Sequence, residues 1–221
     1  MKTICLSAGH NETDPGAVGH GLRESDLTGD IVSLIATKLA AYEATVLQAP
    51  RYDDLAARAA YANNAKADLY LSIHCNAGGG TGFESYVHPN AGERTQEIQT
   101  TIHSAIMAFL ERYDVVNRGR KTADYQVLRE TAMPAVLLEC LFVDHAEDAK
   151  LLADPAFRDS LANEIAFGVA QALGLKLKDP CRNCQRVNEL IVERGKLFAE
   201  ASRLRQIIRQ AQGDLAAAGV V

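Results

Sequence analysis

From the N-terminus to Gly174 the chain alternates short apolar runs with segments of helical period, and this order limits its fold more than any other feature. "TICLS" reads as a buried strand. "ESDLTGDIVSLIATKLAAY" carries Leu27, Ile31, Leu34, Ile35 and Leu39 at helical spacing. "ATVLQA" is a strand. "DDLAARAAYANNAKA" is a helix with Asp53 or Asp54 at its start, where a carboxylate meets the positive helix end. "DLYLSIHCN" and "FESYVH" are strands, and residues from about 93 to 113 form a long helix. "YQVLRE" and "PAVLLECLFV" read as strands, the second apolar on both faces as in a buried sheet. "PAFRDSLANEIAFGVAQALG" is a helix opening on Pro155 and closing at Gly174. The expected fold is an α/β domain over residues 1–175, a mostly parallel sheet with helices on both faces.

Beyond Gly174 the pattern changes. "LKLKDPCRNCQ" marks a linker over 176–186. Val187, Leu190, Arg194, Leu197, Ala201, Leu204, Ile208, Ala211 and Leu215 then alternate in steps of three and four, a heptad seam flanked by Ile191, Phe198 and Ile207. A helix over 187–216 that makes a homo-oligomer is expected. The alternative is one amphipathic helix lying on its own domain. Cys181 and Cys184 open this helix as C-x-x-C without the second ligand pair of a structural zinc site, so they read as plain thiols or as cross-links between tails.

Apolar residues make up 48% and charged residues 23% of the 221, the balance of a globular protein. A net charge of −5 argues against a nucleic-acid partner. The start "MKTICLSAGH" lacks the long apolar region of a secretory signal, and no run reaches the length of a membrane helix. The expectation is synthesis in the cytoplasm and no membrane insertion. Cys5, Cys75 and Cys140 lie in strand-like runs and read as buried free thiols.

The stretch "LSAGHNETDPGAVGHGLRESD" after the first strand is richer in chemistry than a connection needs. It holds glycines at 9, 16, 19 and 21, His10 and His20, Glu12 and Glu24. In α/β sheets ligands bind at the carboxyl ends of strands. His10 ends the first strand, His74 ends "LYLSIH", Glu24 opens the first long helix, and Glu139 lies within "AVLLEC". Two histidines and one carboxylate are a three-ligand zinc set that leaves a position for water, and a further acid can act as base and acid. Each residue also has a plainer reading, as a hydrogen-bonded histidine or an acid at a helix start. Glu139 is the hardest to read plainly, because burying a carboxylate in "VLLECLF" costs several kcal/mol unless it is paired or functional. His20 reads as a solvated loop residue.

The series "AGHNETDPGAVGHGLRESD", "LSIHCNAGG", "GFESYV" and "RKTADYQVLRETAMPAVLLECLFVDHAED" resembles, in order and over residues 2 to about 174, the motifs of the zinc-dependent N-acetylmuramoyl-L-alanine amidases of the Amidase_3 type. The resemblance implies an enzyme that cleaves the amide between N-acetylmuramic acid and L-alanine in peptidoglycan. It implies that His10, Glu24 and His74 hold Zn2+ and that Glu139, in an E-x-x-F context, is catalytic. Without a signal, such an enzyme would be a lysin of phage or prophage type, or an autolysin released by a non-classical route, that reaches the wall after release, through a holin-type pore or on lysis. The "GGGTGFESYVHP" segment would line the substrate groove, with Asn76, Glu84, Lys121 and Arg129 as candidate substrate contacts. Two other readings compete: a non-catalytic wall-binding module on the same fold, and a zinc peptidase.

Overall fold

The computed structural model describes residues 1–178 and, beyond them, positions 193, 200, 204, 207, 208 and 211, which are helical. The expected linker after Lys178, the heptad helix, its oligomeric role and the Cys181–Cys184 pair lie outside the described residues. Residues Met1–Lys178 form one compact unit.

Strand β1 (Lys2–Ala8) leads into a loop carrying the two-residue strands β2 (Val18–Gly19) and β3 (Leu22–Arg23). Helix α1 (Glu24–Leu39), β4 (Ala44–Gln48), α2 (Leu55–Asn64), β5 (Leu69–Asn76), β6 (Phe83–Val87) and α3 (Glu93–Leu110) follow. Then come β7 (Asn117–Thr122), α4 (Gln126–Arg129), β8 (Ala135–Phe142), α5 (Ala146–Ala153) and α6 (Pro155–Leu173). The six main strands are ordered β4-β1-β5-β8-β6-β7. The first four are mutually parallel, β6 runs antiparallel to β8, and β7 is parallel to β6. The sheet is mixed and mostly parallel, as expected.

Two apolar layers cover it. One face of the sheet packs Ile4, Leu6, Leu71, Ile73 and Leu138 against Ile31 and Ile35 of α1, Ile102 and Ile106 of α3, and Leu161 and Ile165 of α6. The other packs Cys5, Tyr70 and Leu137 against Ala62 of α2 and Val127 and Leu128 of α4. Cys5, Cys75 and Cys140 are buried free thiols. Helix ends follow their local chemistry. Asp54 caps α2 by accepting from the Ala56 amide, and Asp154 caps α6 with Pro155 behind it. Gly174 ends α6 in the left-handed region at φ +64°.

One expected strand is not one. "YQVLRE" forms the single helical turn α4. Its adjacent Val127 and Leu128 are both buried on the same sheet face, which a strand, sending neighbours to opposite sides, cannot achieve. The strand in this region is β7, "NRGRKT", a polar edge strand without apolar alternation. Among the described residues no helix is long and apolar enough to cross a membrane.

Candidate active site

Parallel pairing of β1 with β5 sets Ala8 opposite Ile73, which brings the loop after β1 beside the end of β5. His10 hangs from that loop, and His74 is the residue after Ile73. Glu24, the first residue of α1, reaches back between them. Its Oε2 lies 3.0 Å from His10 Nε2 and its Oε1 3.0 Å from His74 Nδ1. Donor atoms from the three side chains all fall within 4.8 Å of one another. Glu24 is buried and also accepts the Ala17 and Cys75 amides. Burial alone would raise its carboxyl, but the bond and charge of His74, with the Ala17 amide and His10, outweigh this and hold it below the usual carboxylate range.

The backbone carrying His10 is clamped. His10 sits at φ +57°, a left-handed conformation that a non-glycine residue holds only when its surroundings impose it. Arg51 donates to the carbonyls of His10, Gly9 and Ser25, and the buried Arg58 to those of Ala8, His10 and Tyr52. Thr28 Oγ1 donates to Gly9 O at 2.7 Å. On the imidazole itself, Nδ1 lies 2.6 Å from Asp14 Oδ2, which favours a proton on Nδ1 and turns Nε2 toward Glu24 and the donor group. The His10 contact, then the Gly16 amide, lower the Asp14 carboxyl.

The group has the donor chemistry of a zinc site, with its ligand atoms within 4.8 Å of one another. Around a tetrahedral zinc with ligand distances of about 2 Å, ligand atoms lie about 3–4 Å apart, and two imidazoles with one carboxylate form a common donor set. Gly16 makes the cradle possible. A Cβ there would stand 2.4 Å from His10 Cδ2 and 2.6 Å from Glu24 Oε2, so a side chain at 16 would fill the space between the ligands.

Glu139 is the neighbour of this group. It pairs with His74 across β5–β8 and is the one residue of β8 that is not fully buried. Directly after it the register slips: His74 and Asn76 on β5 face Glu139 and Phe142 on β8, and Leu141 takes φ +69°. Its Oε2 is buried and has no hydrogen-bond partner among the described residues. Burial first, then the charges of Glu24 and Glu84, push its carboxyl up to about 8.

The remaining sequence candidates separate into two places. Asn76, Glu84 and Lys121 form one network. Glu84 is buried opposite Glu139 in the β6–β8 pair and accepts from Asn76 Nδ2 at 2.7 Å, Tyr86 OH at 3.0 Å, Arg118 Nε at 2.8 Å and Lys121 Nζ. Burial would raise its carboxyl, but Lys121, Arg118 and Tyr86 hold it low. Arg129 lies elsewhere. It is exposed on α4, bonded to Asp124, and lines a cavity of about 330 Å³ with His88, Pro134 and Ala135 at the start of β8. That is about 13 Å along the strand from Glu139, at 3.3 Å per residue. His20 is exposed, with its Nε2 3.3 Å from the Asp144 carbonyl.

Sequence reading passed over Asp14, Arg51, Arg58 and Arg118. Arg58 left a signal, a charge within the small-residue face of "LAARAAYA". Arg118 left none, since basic residues on a polar strand look like ordinary solvated surface.

Comparison with known proteins agrees with this geometry. The sequence profile described as N-acetylmuramoyl-L-alanine amidase (Amidase_3) matches residues 4–171. The chain is 45% identical over 181 residues to the sporulation-specific N-acetylmuramoyl-L-alanine amidase of Bacillus subtilis, covering 80% of this chain and 70% of that protein. It is 40% identical over 184 residues to the endolysin of Bacillus phage SPP1, covering 80% and 68%. Among solved structures, the N-acetylmuramoyl-L-alanine amidase of Clostridium difficile 630 superposes with a TM-score of 0.74 at 31% identity, over 78% of this chain and 97% of that one. The catalytic domain of CwlV from Bacillus (Paenibacillus) polymyxa gives 0.72 at 29%, over 80% and 100%. The chain therefore belongs to the N-acetylmuramoyl-L-alanine amidase family.

Proposed function

We propose that this peptidoglycan amidase cleaves the bond between N-acetylmuramic acid and L-alanine with a zinc ion held by His10, Glu24 and His74, and with Glu139 moving the proton. The observation that carries this reading is the placement of Glu139, with its unpartnered Oε2, in register with His74 beside the three donor groups. Bound there, zinc supplies Lewis-acid polarisation of the amide carbonyl and lowers the pKa of a water toward neutrality.

The protein's own residues do the rest. Asp14 holds His10 in the tautomer that presents Nε2, and Arg51 and Arg58 hold its backbone. Glu139 Oε2 accepts a proton from the attacking water. A carboxylate with its affinity raised toward neutrality is suited to this, because it takes the proton readily and can return it. The same oxygen then delivers the proton to the departing L-alanine nitrogen, and the β6–β7 side of the cleft receives the peptide. The substrate lies in the cell wall and is reached after release from the cell, a reading that the similarity to a phage endolysin supports. Self-association through the helix expected over 187–216 is part of the same proposal.

The test is release of L-alanine amino termini from purified walls, before and after chelation and with zinc restored. Loss and recovery support the reading. Full activity in the presence of a strong chelator overturns the metal assignment, and full activity in Glu139→Gln overturns the proton carrier.

A further inference from the structure

We propose that Arg118 and Lys121, seated on the buried Glu84, form a subsite for a carboxylate on the peptide arm of the substrate. The proposal rests on the amidase reading above.

Glu84 does not itself face a ligand. It is 2% exposed and its oxygens are occupied by four donors. A carboxylate in this state acts as an anchor, and what it anchors is two cations whose side chains remain about a third exposed. With Glu139, which faces Glu84 across β6–β8, in its protonated form, one buried negative charge against two positive charges leaves the cluster one charge in excess. Arg118 uses Nε on Glu84, which leaves the Nη edge of its fork for a second acid, the geometry that favours a carboxylate. Its guanidinium also lies 4.8 Å from the centre of the Phe142 ring, so its orientation is set before any ligand arrives.

A local irregularity puts both cations on the catalytic face. Residues on β7 alternate sides, so 118 and 121 would ordinarily point in opposite directions. The register slips here: Phe83 faces Asn117, while Glu84 faces Gly119. Arg118 is the extra residue, and Gly119 supports the bulge at φ +88° with nothing within 4 Å of where its Cβ would stand, so glycine is needed for its backbone and not for space. The bulge turns Arg118 to the side of Lys121, while Arg120 reaches Thr100 of α3 on the other side. Bulges beside active sites commonly re-aim a side chain in this way.

The reach is appropriate. β7 lies two strands from β8, about 10 Å at the usual strand spacing. Two to three extended residues span about 7–10 Å, so the recognised carboxylate belongs to the first few residues beyond the cleaved bond.

The experiment compares wall preparations with free carboxyl groups and the same walls amidated with carbodiimide and ammonia, using the full chain and counting L-alanine amino termini. Amidation is expected to lower the wild-type kcat/KM about ten-fold, the scale of a lost charge-assisted contact. Bulk electrostatics works the other way, since a protein of net charge −5 is repelled less by the neutralised wall. Lys121→Met should show that loss already on untreated walls and lose little more on amidation, whereas Lys121→Arg should keep the wild-type preference. Equal wild-type rates on both walls overturn the subsite. So does an amidation penalty undiminished in both Lys121→Met and Arg118→Met. If wild type releases no L-alanine termini even from untreated walls, the amidase reading itself fails, and the subsite with it.

Discussion

Glu84 and Glu139 face one another across the antiparallel β6–β8 pair, and their surroundings drive them apart: Glu84 is saturated by four donors and stays ionised, while Glu139 keeps an oxygen with no partner and holds its proton toward neutral pH. Two acids made unequal by environment is the arrangement in which one moves protons and the other organises charge.

Glu139→Gln should lower kcat by about 10²–10⁴, the range for loss of a general base, while zinc content measured by atomic absorption stays near wild type. The same variant should be more stable than wild type in chelated protein. A carboxyl raised to about 8 from its ordinary 4.5 leaves stability intact below pH 4.5 and erodes it as pH rises toward 8. The gain in melting temperature should therefore be largest near pH 8 and vanish near pH 4. An unchanged melting curve at pH 8 would contradict the buried, unpartnered state of the side chain.

Asp14→Ala should weaken zinc binding about 10–100-fold, the usual effect of removing a carboxylate behind a ligating histidine. Asp14 is largely exposed, so the melting temperature of the chelated protein should barely move. A competition titration against a fluorescent chelator reads the affinity, and wild-type affinity would remove Asp14 from the site.

Arg58→Met should both destabilise the domain and loosen the metal group. The substitution strips donors from the carbonyls of Ala8, Tyr52 and His10. Of these bonds the one to Ala8 is buried and the other two partly so, and His10 O keeps Arg51 as a donor. At about 1–3 kcal/mol for a buried acceptor left unpaired and less for the others, an overall loss of about 2–4 kcal/mol is expected in urea unfolding. Zinc affinity should fall as well, because His10 loses part of the clamp on its left-handed backbone.

His103 provides a pH-dependent term away from the site. It is buried between Ser85 Oγ at 2.9 Å and Asn117 Oδ1 at 3.0 Å, and burial lowers its imidazole to about 4, only partly countered by Asn117. A depressed histidine contributes its stability above the unfolded value near 6.5 and loses it as pH falls to about 4. The difference corresponds to about 3 kcal/mol at 1.36 kcal/mol per unit. Unfolding of wild type and His103→Gln, compared from pH 7 to 4, should converge across that window, and parallel curves would refute the assignment.

How much of this was legible before the fold depended on the kind of signal. β1, β5 and β8 announce themselves because buried strands of a parallel sheet are apolar on both faces, and α6 carries its own start and stop in Asp154–Pro155 and Gly174. β7 was invisible because an edge strand with a solvated face needs no apolar pattern. α4 was misread because "YQVLRE" is too short to show a period, and the sheet surface beneath it decided its conformation. His10, Glu24 and His74 stood out because each sits within two residues of a strand's end or at the start of a helix.

By itself the sequence determined the α/β order, the helix ends and the anomaly of an acid inside an apolar strand, all of which arise from neighbours within one or two turns of chain. Only the tertiary structure decided that His10 and His74 share one carboxylate, because that follows from β1 and β5 lying side by side. It also decided that Glu84 is an anchor for Arg118 and Lys121, which lie 34 and 37 residues away in sequence. Charge and burial act through space, and no local pattern records which distant donors a folded sheet will bring to a buried oxygen.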